Sequence, residues 1–324
     1  MRFGIVGTGF ISDWFVEACR AAGGRPLAIC SRDGWNGQEF AHKHHLERAV
    51  TTVAELAALP EVDAIYVASP IAAHHEQALT ALRAGKHVLC EKTLTTNLAD
   101  TQELFAAAGA AGRLLLEEVR PNFDPAYGPI REAVGRLGEL HYAHFEKCQY
   151  SSRYPAFLRG EVPNALNPAS GSSALRDIGC YCLHPALLLF GKPVSASARN
   201  YRLSNGFEAG GAIRLDYGGF TANCVYSKVT QTVTPSFIEG EEGTLTIDSI
   251  AEPADVQIIH VDGHVEPVLT GSPRAPKDNL PDAVAAFQRL AETPEAAEPL
   301  RRQSELAEQI MGAALEADGG LFHL

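Results

Sequence analysis

The first 118 residues alternate short apolar segments with longer amphipathic ones, and this alternation constrains the fold more than any other feature of the chain. Strands are predicted at residues 2–6, 26–30, 48–50, 63–68, 87–90 and 114–118, with a helix after each of the first five. Strands that alternate with helices at this spacing form a parallel sheet with helices on both faces. We therefore predict an α/β Rossmann domain, a doubly wound parallel sheet, over residues 1–119.

From Arg120 onward the pattern changes to a helix, a long alternating strand and, beyond residue 190, a series of strands joined by short turns. Such strands form a mostly antiparallel sheet. We predict an α+β substrate and dimerisation domain over residues 120–324, with an open sheet and with terminal helices, near 279–292 and 299–317, that pack back on the first domain. The uncovered face of the sheet would form a homodimer or homotetramer.

The composition excludes several classes of function. The 324 residues, 46% of them hydrophobic, suffice for two cores. A net charge of −12 without a basic cluster argues against nucleic acid and anionic membranes as partners. No apolar run approaches about 18 residues and the N-terminus lacks a signal-peptide pattern, so we expect no membrane span and a cytoplasmic location. Seven cysteines without paired CxxC units indicate reduced thiols and no metal site.

A glycine turn follows the first strand, with the sequence Gly7-Thr8-Gly9-Phe10-Ile11-Ser12. Its two glycines permit a tight turn and close approach of a pyrophosphate to the backbone, and the following helix directs its free N–H groups at the anion. Ser12 replaces the third glycine of the usual pattern, which affects the packing of helix on strand rather than the phosphate contact. Because the turn joins a clear strand to a clear helix, residues 7–11 are predicted to bind a dinucleotide.

Ser31, Arg32 and Asp33 come directly after the second strand, where NAD-selective folds usually place a carboxylate on the ribose 2′-hydroxyl. A serine can donate to a 2′-phosphate, and an arginine can pair with it and stack on adenine. We therefore predict NADP as the preferred cofactor, with Ser31 and Arg32 as its contacts. The alternative is NAD, with Asp33 on the ribose and Arg32 as a solvated loop residue.

Further candidate cofactor contacts follow the fourth and fifth strands, because ligands of such sheets bind beyond the carboxyl ends of the strands. Ser69, Pro70 and His74 follow the fourth strand; Glu91 and Lys92 follow the fifth. Lysine avoids burial unless it is paired, and desolvation or a neighbouring charge tunes its pKa for chemistry. Lys92 is therefore either a chemical group of the site or the partner of a carboxylate such as Glu91.

Three segments together resemble the Gfo/Idh/MocA family of oxidoreductases, in particular its dihydrodiol dehydrogenase and glucose–fructose oxidoreductase-like branch. They are GIVGTGFIS at 4–12, VASPIAAHHEQALTALRAGKHVLCEKTLTTN at 67–97 and DIGCYCLH at 177–184. The segment EGEEGTLTID at 239–248 is similar to the family's C-terminal sheet. The resemblance implies an NAD(P)-dependent dehydrogenase that transfers a hydride between the nicotinamide and a CH–OH group of a sugar, polyol or cyclic diol.

The resemblance also implies the catalytic residues. The family's lysine falls on Lys92, where Thr93 replaces the proline of the usual Glu-Lys-Pro motif, and its acid–base pair falls on Asp177 and Tyr181. Tyr181 would exchange the proton, and Lys92 would stabilise both the phenolate and the substrate oxygen. Asp177 would orient the hydroxyls or the lysine, or relay a proton.

Two polar residues are candidate substrate contacts. On a regular helix His184 shares a face with Asp177 and Tyr181, because residues three and four apart are neighbours. Asn164 lies in a polar loop before that helix, where a pocket wall and an exposed loop are equally good interpretations.

Two other functions remain open on the sequence. One is an NAD-dependent glycoside hydrolase of the same fold, which would keep its cofactor bound through turnover. The other is a non-catalytic sensor that binds a dinucleotide and signals through a partner. The presence of Lys92, Asp177 and Tyr181 together argues against the sensor.

Overall fold

The predicted alternation of strands and helices is present in the computed structural model, which describes residues 1–272, 274–317 and 320–324. Strands β1 to β6 are Arg2–Val6, Arg25–Cys30, Arg48–Val50, Ala64–Val67, His87–Glu91 and Leu115–Glu118. Helices α1 to α5 are Phe10–Ala21, Gly34–His44, Val53–Ala58, His74–Arg83 and Leu98–Ala111. The strands pair in parallel in the order β3-β2-β1-β4-β5-β6, which is the doubly wound order, so the Rossmann prediction is confirmed.

Local signals fix the ends of several of these helices. Thr52 and Glu55 form a capping box at the start of α3, with each side chain bonded to the other's backbone N–H. Asn97 accepts the N–H of Asp100 at 2.9 Å and so caps α5, which ends at Gly112 with φ +61°. The ends of α3 and of α5 are thus determined by the residues at the ends themselves.

The rest of the chain supplies the second sheet. Helices α6 to α8 are Tyr127–Val134, Tyr154–Leu158 and Cys180–Phe190, and β7 is Leu140–Cys148. Strands β8 to β14 are Ser195–Arg202, Glu208–Asp216, Thr221–Ser227, Ser236–Gly240, Gly243–Ile247, Val256–His260 and Val265–Leu269. Two helices and a strand close the chain: α9 (Leu280–Leu290), α10 (Glu298–Glu316) and β15 (Leu321–His323).

Nine strands form this second sheet, in the order β14-β13-β12-β11-β7-β10-β9-β8-β15. Neighbours run antiparallel except β7 and β10, which are parallel, so the predicted mostly antiparallel open sheet is confirmed. Its inward residues, such as Ala143 and Phe145 of β7, are completely buried against helices α6, α8 and the end of α10. Their neighbours Tyr142 and His144 point to the opposite face and are half-buried.

The chain packs as two compact units. Unit 1 comprises Met1–Phe123 and Pro276–Glu305, and unit 2 comprises Asp124–Ala275 and Leu306–Leu324. Helix α9 belongs to unit 1, where Phe287 contacts Phe3 of β1 with ring centroids 5.9 Å apart.

Helix α7 and strand β15 were not predicted from the sequence. Helix α7 is a single short element in a polar loop, and β15 pairs with β8 through only three residues. Both are too short to carry a periodic signal. None of the helices within the described residues is long and apolar enough to cross a membrane.

Candidate dinucleotide site and catalytic helix

The turn after β1 lets a phosphate lie against its backbone. Gly7 has φ +101°, and a Cβ at this position would lie 2.7 Å from the carbonyl oxygen of Ala68, so only glycine fits. Gly9 has an ordinary φ of −76°, and a Cβ there would meet no atom within 4 Å. Packing does not require this second glycine. Its effect is to leave open space in front of helix α1.

Helix α1 begins at Phe10, directly behind that space. Its N-cap is Gly9, so no side chain caps the helix, and the N–H groups of Ser12 and Asp13 donate to the Gly9 carbonyl. Such a helix end carries partial positive charge and amides that a phosphate can satisfy. The residues of the turn therefore fit the pyrophosphate of a dinucleotide.

A cavity of about 1090 Å³, here called the dinucleotide cavity, opens at this edge of the parallel sheet. Its lining includes most of the cofactor contacts predicted from the sequence, namely Gly7, Thr8, Gly9, Phe10, Ile11, Ser31, Arg32, Ser69 and Pro70. Asp33, the alternative ribose contact, also lines the cavity. The sequence reasoning missed a second set of lining residues: Asn36, Thr51, Thr52, Val53, Ala54, Glu76, Gln77 and Thr80. These come from helices α2, α3 and α4 and their caps, and which side chains face the cavity depends on how those helices pack.

The residues after β2 differ in the contacts that they make. Asp33 is the N-cap of α2: its carboxylate accepts the N–H groups of Trp35 at 3.0 Å and Asn36 at 3.2 Å, and the Asn36 side-chain amide at 2.9 Å. Arg32 is exposed, lines the cavity and makes no side-chain hydrogen bond or ion pair with any residue that the structure describes. The carboxylate is thus occupied by its helix, whereas the guanidinium is available to a ligand.

His74, predicted as a cofactor contact, does not line the cavity. It is buried, with Nε2 lying 2.8 Å from the carbonyl oxygen of Ser69 and Nδ1 lying 3.0 Å from that of Thr93. Burial lowers the pKa of His74. The ring therefore connects the loop after β4 to the loop after β5, and it supports the cavity wall from behind.

Glu91 also lies away from the cavity, in a buried cluster of acidic groups. Tyr66 donates its hydroxyl to Glu91, and Glu118 lies beside them on the neighbouring strand β6. Burial raises the pKa of Glu91, and burial together with the Glu91 charge raises the pKa of Glu118 to about 8. Burial thus favours the protonated form of Glu118 compared with an exposed glutamate.

Lys92 is half-buried and its charge acts on three carboxyl groups. Burial raises the pKa of Glu91, Glu117 and Glu118, and the positive charge of Lys92 offsets part of that rise. Glu117 in turn accepts the N–H of Leu94 at 2.9 Å. The peptide bond between Lys92 and Thr93 is cis. Lys92 thus has the carboxylate neighbours that the sequence suggested, while it keeps partial exposure.

Asp177 and Tyr181 do not lie on one regular α-helix. Residues Leu175–Gly179 form a π-helical turn, and α8 begins only at Cys180. The expectation of a uniform helical face is therefore wrong at its first turn, because a π turn has a different repeat. We refer to residues 175–190 as the Asp177 segment.

The Asp177 segment is held by side chains from distant parts of unit 2. Glu208 accepts the N–H of Leu175 at 2.9 Å, and Arg176 forms a buried ion pair with Glu308 at 2.6 Å. Lys228 donates to Asp177 at 2.5 Å. Sequence reasoning missed all three anchors, since nothing local marks them.

Gly179 is required by packing in this segment. A Cβ there would lie 2.8 Å from both the Leu175 side chain and the ring of Tyr226 on β10. Packing alone therefore explains the glycine at this position.

The remaining candidate residues differ in exposure. Tyr181 is 4% exposed and His184 is completely buried, and burial lowers the pKa of His184 to about 3, so this ring is neutral. A core position does not favour the predicted substrate contact for His184. Asn164 is exposed at the start of a short 3₁₀ turn, Asn164–Leu166.

Within the described part of the chain, no group of three or more histidine, cysteine, aspartate or glutamate side chains is arranged to hold a metal ion. One histidine of unit 1, His44, contacts a carboxylate: its Nε2 lies 2.6 Å from Oδ1 of Asp13.

Comparison with known proteins decides the family. Residues 1–118 match the model described as the oxidoreductase family with an NAD-binding Rossmann fold, and residues 131–246 match the GFO/IDH/MocA C-terminal domain. The chain belongs to the Gfo/Idh/MocA family. It is an NAD(P)-dependent dehydrogenase of that family, as the resemblance implied.

Three relatives illustrate the membership. The chain is 39% identical to scyllo-inositol 2-dehydrogenase (NADP(+)) IolU of Bacillus subtilis, over 85% of this chain and 84% of that one. It is 32% identical to trans-1,2-dihydrobenzene-1,2-diol dehydrogenase of Xenopus laevis, over 76% and 75%. Its structure matches that of KijD10, a 3-ketoreductase from Actinomadura kijaniata in complex with NADP and TDP-benzene. The TM-score is 0.85 at 25% identity, over 98% of this chain and 97% of the other.

Proposed function

We propose that this family member is an NADP-preferring dehydrogenase that oxidises a secondary hydroxyl of a polyol, sugar or cyclic diol, and reduces the corresponding carbonyl. The cofactor preference rests on the two residues that follow Ser31 after β2. Asp33 caps a helix, whereas Arg32 lines the cavity and pairs with no described residue. A guanidinium suits a 2′-phosphate, whereas a ribose diol would need the carboxylate. Relatives named for scyllo-inositol and for a cyclic diol support the substrate class.

We further propose Lys92, Asp177 and Tyr181 as the catalytic residues. A nicotinamide dinucleotide, held by residues 7–11 and Arg32, would supply the hydride acceptor for oxidation of the alcohol carbon and the hydride donor for reduction of the carbonyl carbon. On oxidation, Tyr181 receives the hydroxyl proton of the substrate, and on reduction it gives that proton back. The Lys92 ammonium stabilises negative charge on the reacting oxygen. Asp177, with 35% of its side chain exposed, accepts hydrogen bonds from neighbouring hydroxyls of the substrate.

A panel assay tests this function. The purified chain would be incubated with NADP⁺ and a set of inositols, aldoses and cyclic diols, while NADPH formation is followed by absorbance. We expect turnover on at least one of these alcohols, and a loss of at least about 100-fold in Lys92→Ala and in Tyr181→Phe. The controls are Lys192→Ala, an exposed lysine, and Tyr150→Phe, an exposed tyrosine. Near wild-type turnover in both catalytic variants would require other residues for the chemistry.

We further propose that copies of this chain assemble through the outer face of the second sheet. That face carries Phe237 stacked on His144 and, on β13, Ile259 with 39% of its surface exposed. These features support a homodimer or homotetramer through this face. Light scattering should give a dimeric or tetrameric mass for the wild type and a smaller mass for Ile259→Asp.

We also propose a cytoplasmic location. All seven cysteines are buried free thiols, which supports a reducing compartment. Alkylation of the chain as isolated from its own cells, after denaturation without reductant, should modify seven thiols. A smaller number would indicate disulfides.

A further inference from the structure

Lys228 is a buried lysine directly after strand β10. Only 6% of its side chain is exposed, and its Nζ lies 2.5 Å from Oδ2 of Asp177 and 3.2 Å from the carbonyl oxygen of Ala165. The ammonium also lies 5.9 Å from the centroid of the Phe207 ring. Because lysine is almost never buried without a partner, this position is defined by what the ammonium contacts.

The backbone of Lys228 is fixed on both sides. Its N–H donates to the carbonyl of Ala209 at 2.9 Å, and its carbonyl accepts the N–H of Ser151 at 2.8 Å. The side chain therefore starts from a rigid point at the end of a sheet strand. A group anchored in this way can hold a partner in one orientation.

The two members of the ion pair differ in exposure. Asp177 has 35% of its side chain exposed, whereas Lys228 has 6%. A substrate hydroxyl can thus reach the carboxylate of this pair, while the ammonium is closed off behind it. Any effect of Lys228 on the reaction must pass through Asp177 or through the 3₁₀ turn that contains Ala165.

We propose that Lys228 is a positioning residue of the dehydrogenase. It holds the Asp177 carboxylate in one orientation, as a hydrogen-bond acceptor for substrate hydroxyls, and through Ala165 it fixes the turn that begins at Asn164. The inference rests on the proposed role of Asp177. It assigns proton transfer to Tyr181 alone, because a carboxylate paired with a sealed lysine acts as an acceptor and not as a proton relay.

The rest of the segment does not depend on this lysine. Glu208 holds the start of the π turn and Glu308 holds Arg176, so loss of the Lys228 ammonium removes one contact of a segment that is anchored elsewhere. Replacement of Lys228 should therefore leave the chain folded.

A double-mutant cycle on the full chain tests the proposal. The variants are Lys228→Met, Asp177→Asn and the two together, with Lys228→Arg as the conservative change. Arg274→Met is the matched control, because Arg274 forms an ion pair with the fully buried side chain of Asp124 elsewhere in unit 2. For each variant, kcat and KM would be measured with NADP⁺ and the best alcohol of the panel, together with the urea midpoint of unfolding.

We expect Lys228→Met to lower kcat/KM by at least about 10-fold and to lower it no further in the Asp177→Asn background, since residues that act as a unit are not additive. Lys228→Arg should recover most of the activity. Arg274→Met should lower the urea midpoint while kcat and KM stay within about 2-fold of wild type.

Wild-type kinetics in Lys228→Met, or losses that multiply in the double variant, would overturn the positioning role while leaving the dehydrogenase assignment intact. Full activity in Asp177→Asn would remove the premise, and the inference with it. A wild-type chain that turns over no alcohol of the panel would instead refute the proposed function itself. In that case the urea midpoints test the ion pair by themselves. If the shifts in midpoint caused by Lys228→Met and by Asp177→Asn simply add in the double variant, the ion pair between the two side chains is overturned.

Discussion

In unit 1 the dinucleotide cavity is shaped by the main chain: a glycine at φ +101°, a second glycine beside open space, and a helix whose N-cap has no side chain. In unit 2 the Asp177 segment is held by side chains, through Glu208, Glu308 and Lys228. The first construction uses residues that are adjacent in sequence, and the second uses residues 33, 132 and 51 positions away from the residues they hold. The difference predicts how each site fails when it is altered.

The largest effect is expected at Gly7. Gly7→Ala forces a side chain into positive φ and against the Ala68 carbonyl, so it should cost about 1–3 kcal/mol or more of unfolding free energy and abolish measurable NADPH binding. Thermal unfolding and a fluorescence titration with NADPH measure the two effects.

Gly9→Ala is the matched variant, because it has ordinary φ and open space. It should change the unfolding free energy by less than about 1 kcal/mol and still weaken NADPH binding strongly, since the new methyl group occupies the space assigned to the phosphates. If Gly9→Ala bound NADPH as tightly as the wild type, the pyrophosphate would have to lie elsewhere.

The corresponding variant in unit 2 is Gly179→Ala. Its Cβ would meet Leu175 and Tyr226 at 2.8 Å in a well-packed core, which should cost about 1–3 kcal/mol and displace the Asp177 segment. We expect turnover to fall by more than NADPH affinity does, the reverse of the order for Gly9→Ala.

Gly312→Ala, in helix α10 of unit 2, is the control for that experiment. A Cβ there meets no atom within 4 Å, so the change should be neutral or should stabilise the helix by up to about 1 kcal/mol. Equal losses of turnover in Gly179→Ala and Gly312→Ala would show that the Asp177 segment does not depend on its packing against β10.

A smaller effect concerns pH and the buried acids of unit 1. Glu118 has its pKa raised from 4.5 to about 8, so between these values the folded chain holds a proton that the unfolded chain has released. The contribution of Glu118 to the free energy of unfolding is therefore largest below about pH 4.5. It decreases as the pH rises to about 8, by at most about 1.4 kcal/mol per pH unit.

Glu118→Gln carries a neutral amide at every pH and should remove this slope. Urea midpoints at pH 6 and pH 8 would be compared among the wild type, Glu118→Gln and Glu39→Gln, the last being an exposed glutamate of unit 1. The wild type and Glu39→Gln should lose more stability over this range than Glu118→Gln. Parallel losses in all three would show that Glu118 is ionised in the folded chain.

The same contrast explains what could be predicted from the sequence. The parallel sheet and the Gly7 turn depend on neighbouring residues, and both were predicted from the sequence. The lining residues from α3 and α4 were missed, because helix packing selects them. His74 and His184 appeared as site residues because a polar side chain after a strand or on a helix face gives the same signal whether it faces a ligand or the core. The π turn has no sequence signature, and Lys228 lies 51 residues from Asp177.

A binding titration tests the proposed NADP preference, and the proposed contacts of Ser31 and Arg32 with the 2′-phosphate, without any assumption about the substrate. The purified chain, free of retained cofactor, would be titrated with NADPH and with NADH while nicotinamide fluorescence is followed, and the titrations would be repeated with Arg32→Ala. We expect the wild type to bind NADPH about 10- to 100-fold more tightly than NADH, and Arg32→Ala to lose this preference with its NADH affinity unchanged. Equal or tighter binding of NADH by the wild type would contradict it and return the ribose contact to Asp33.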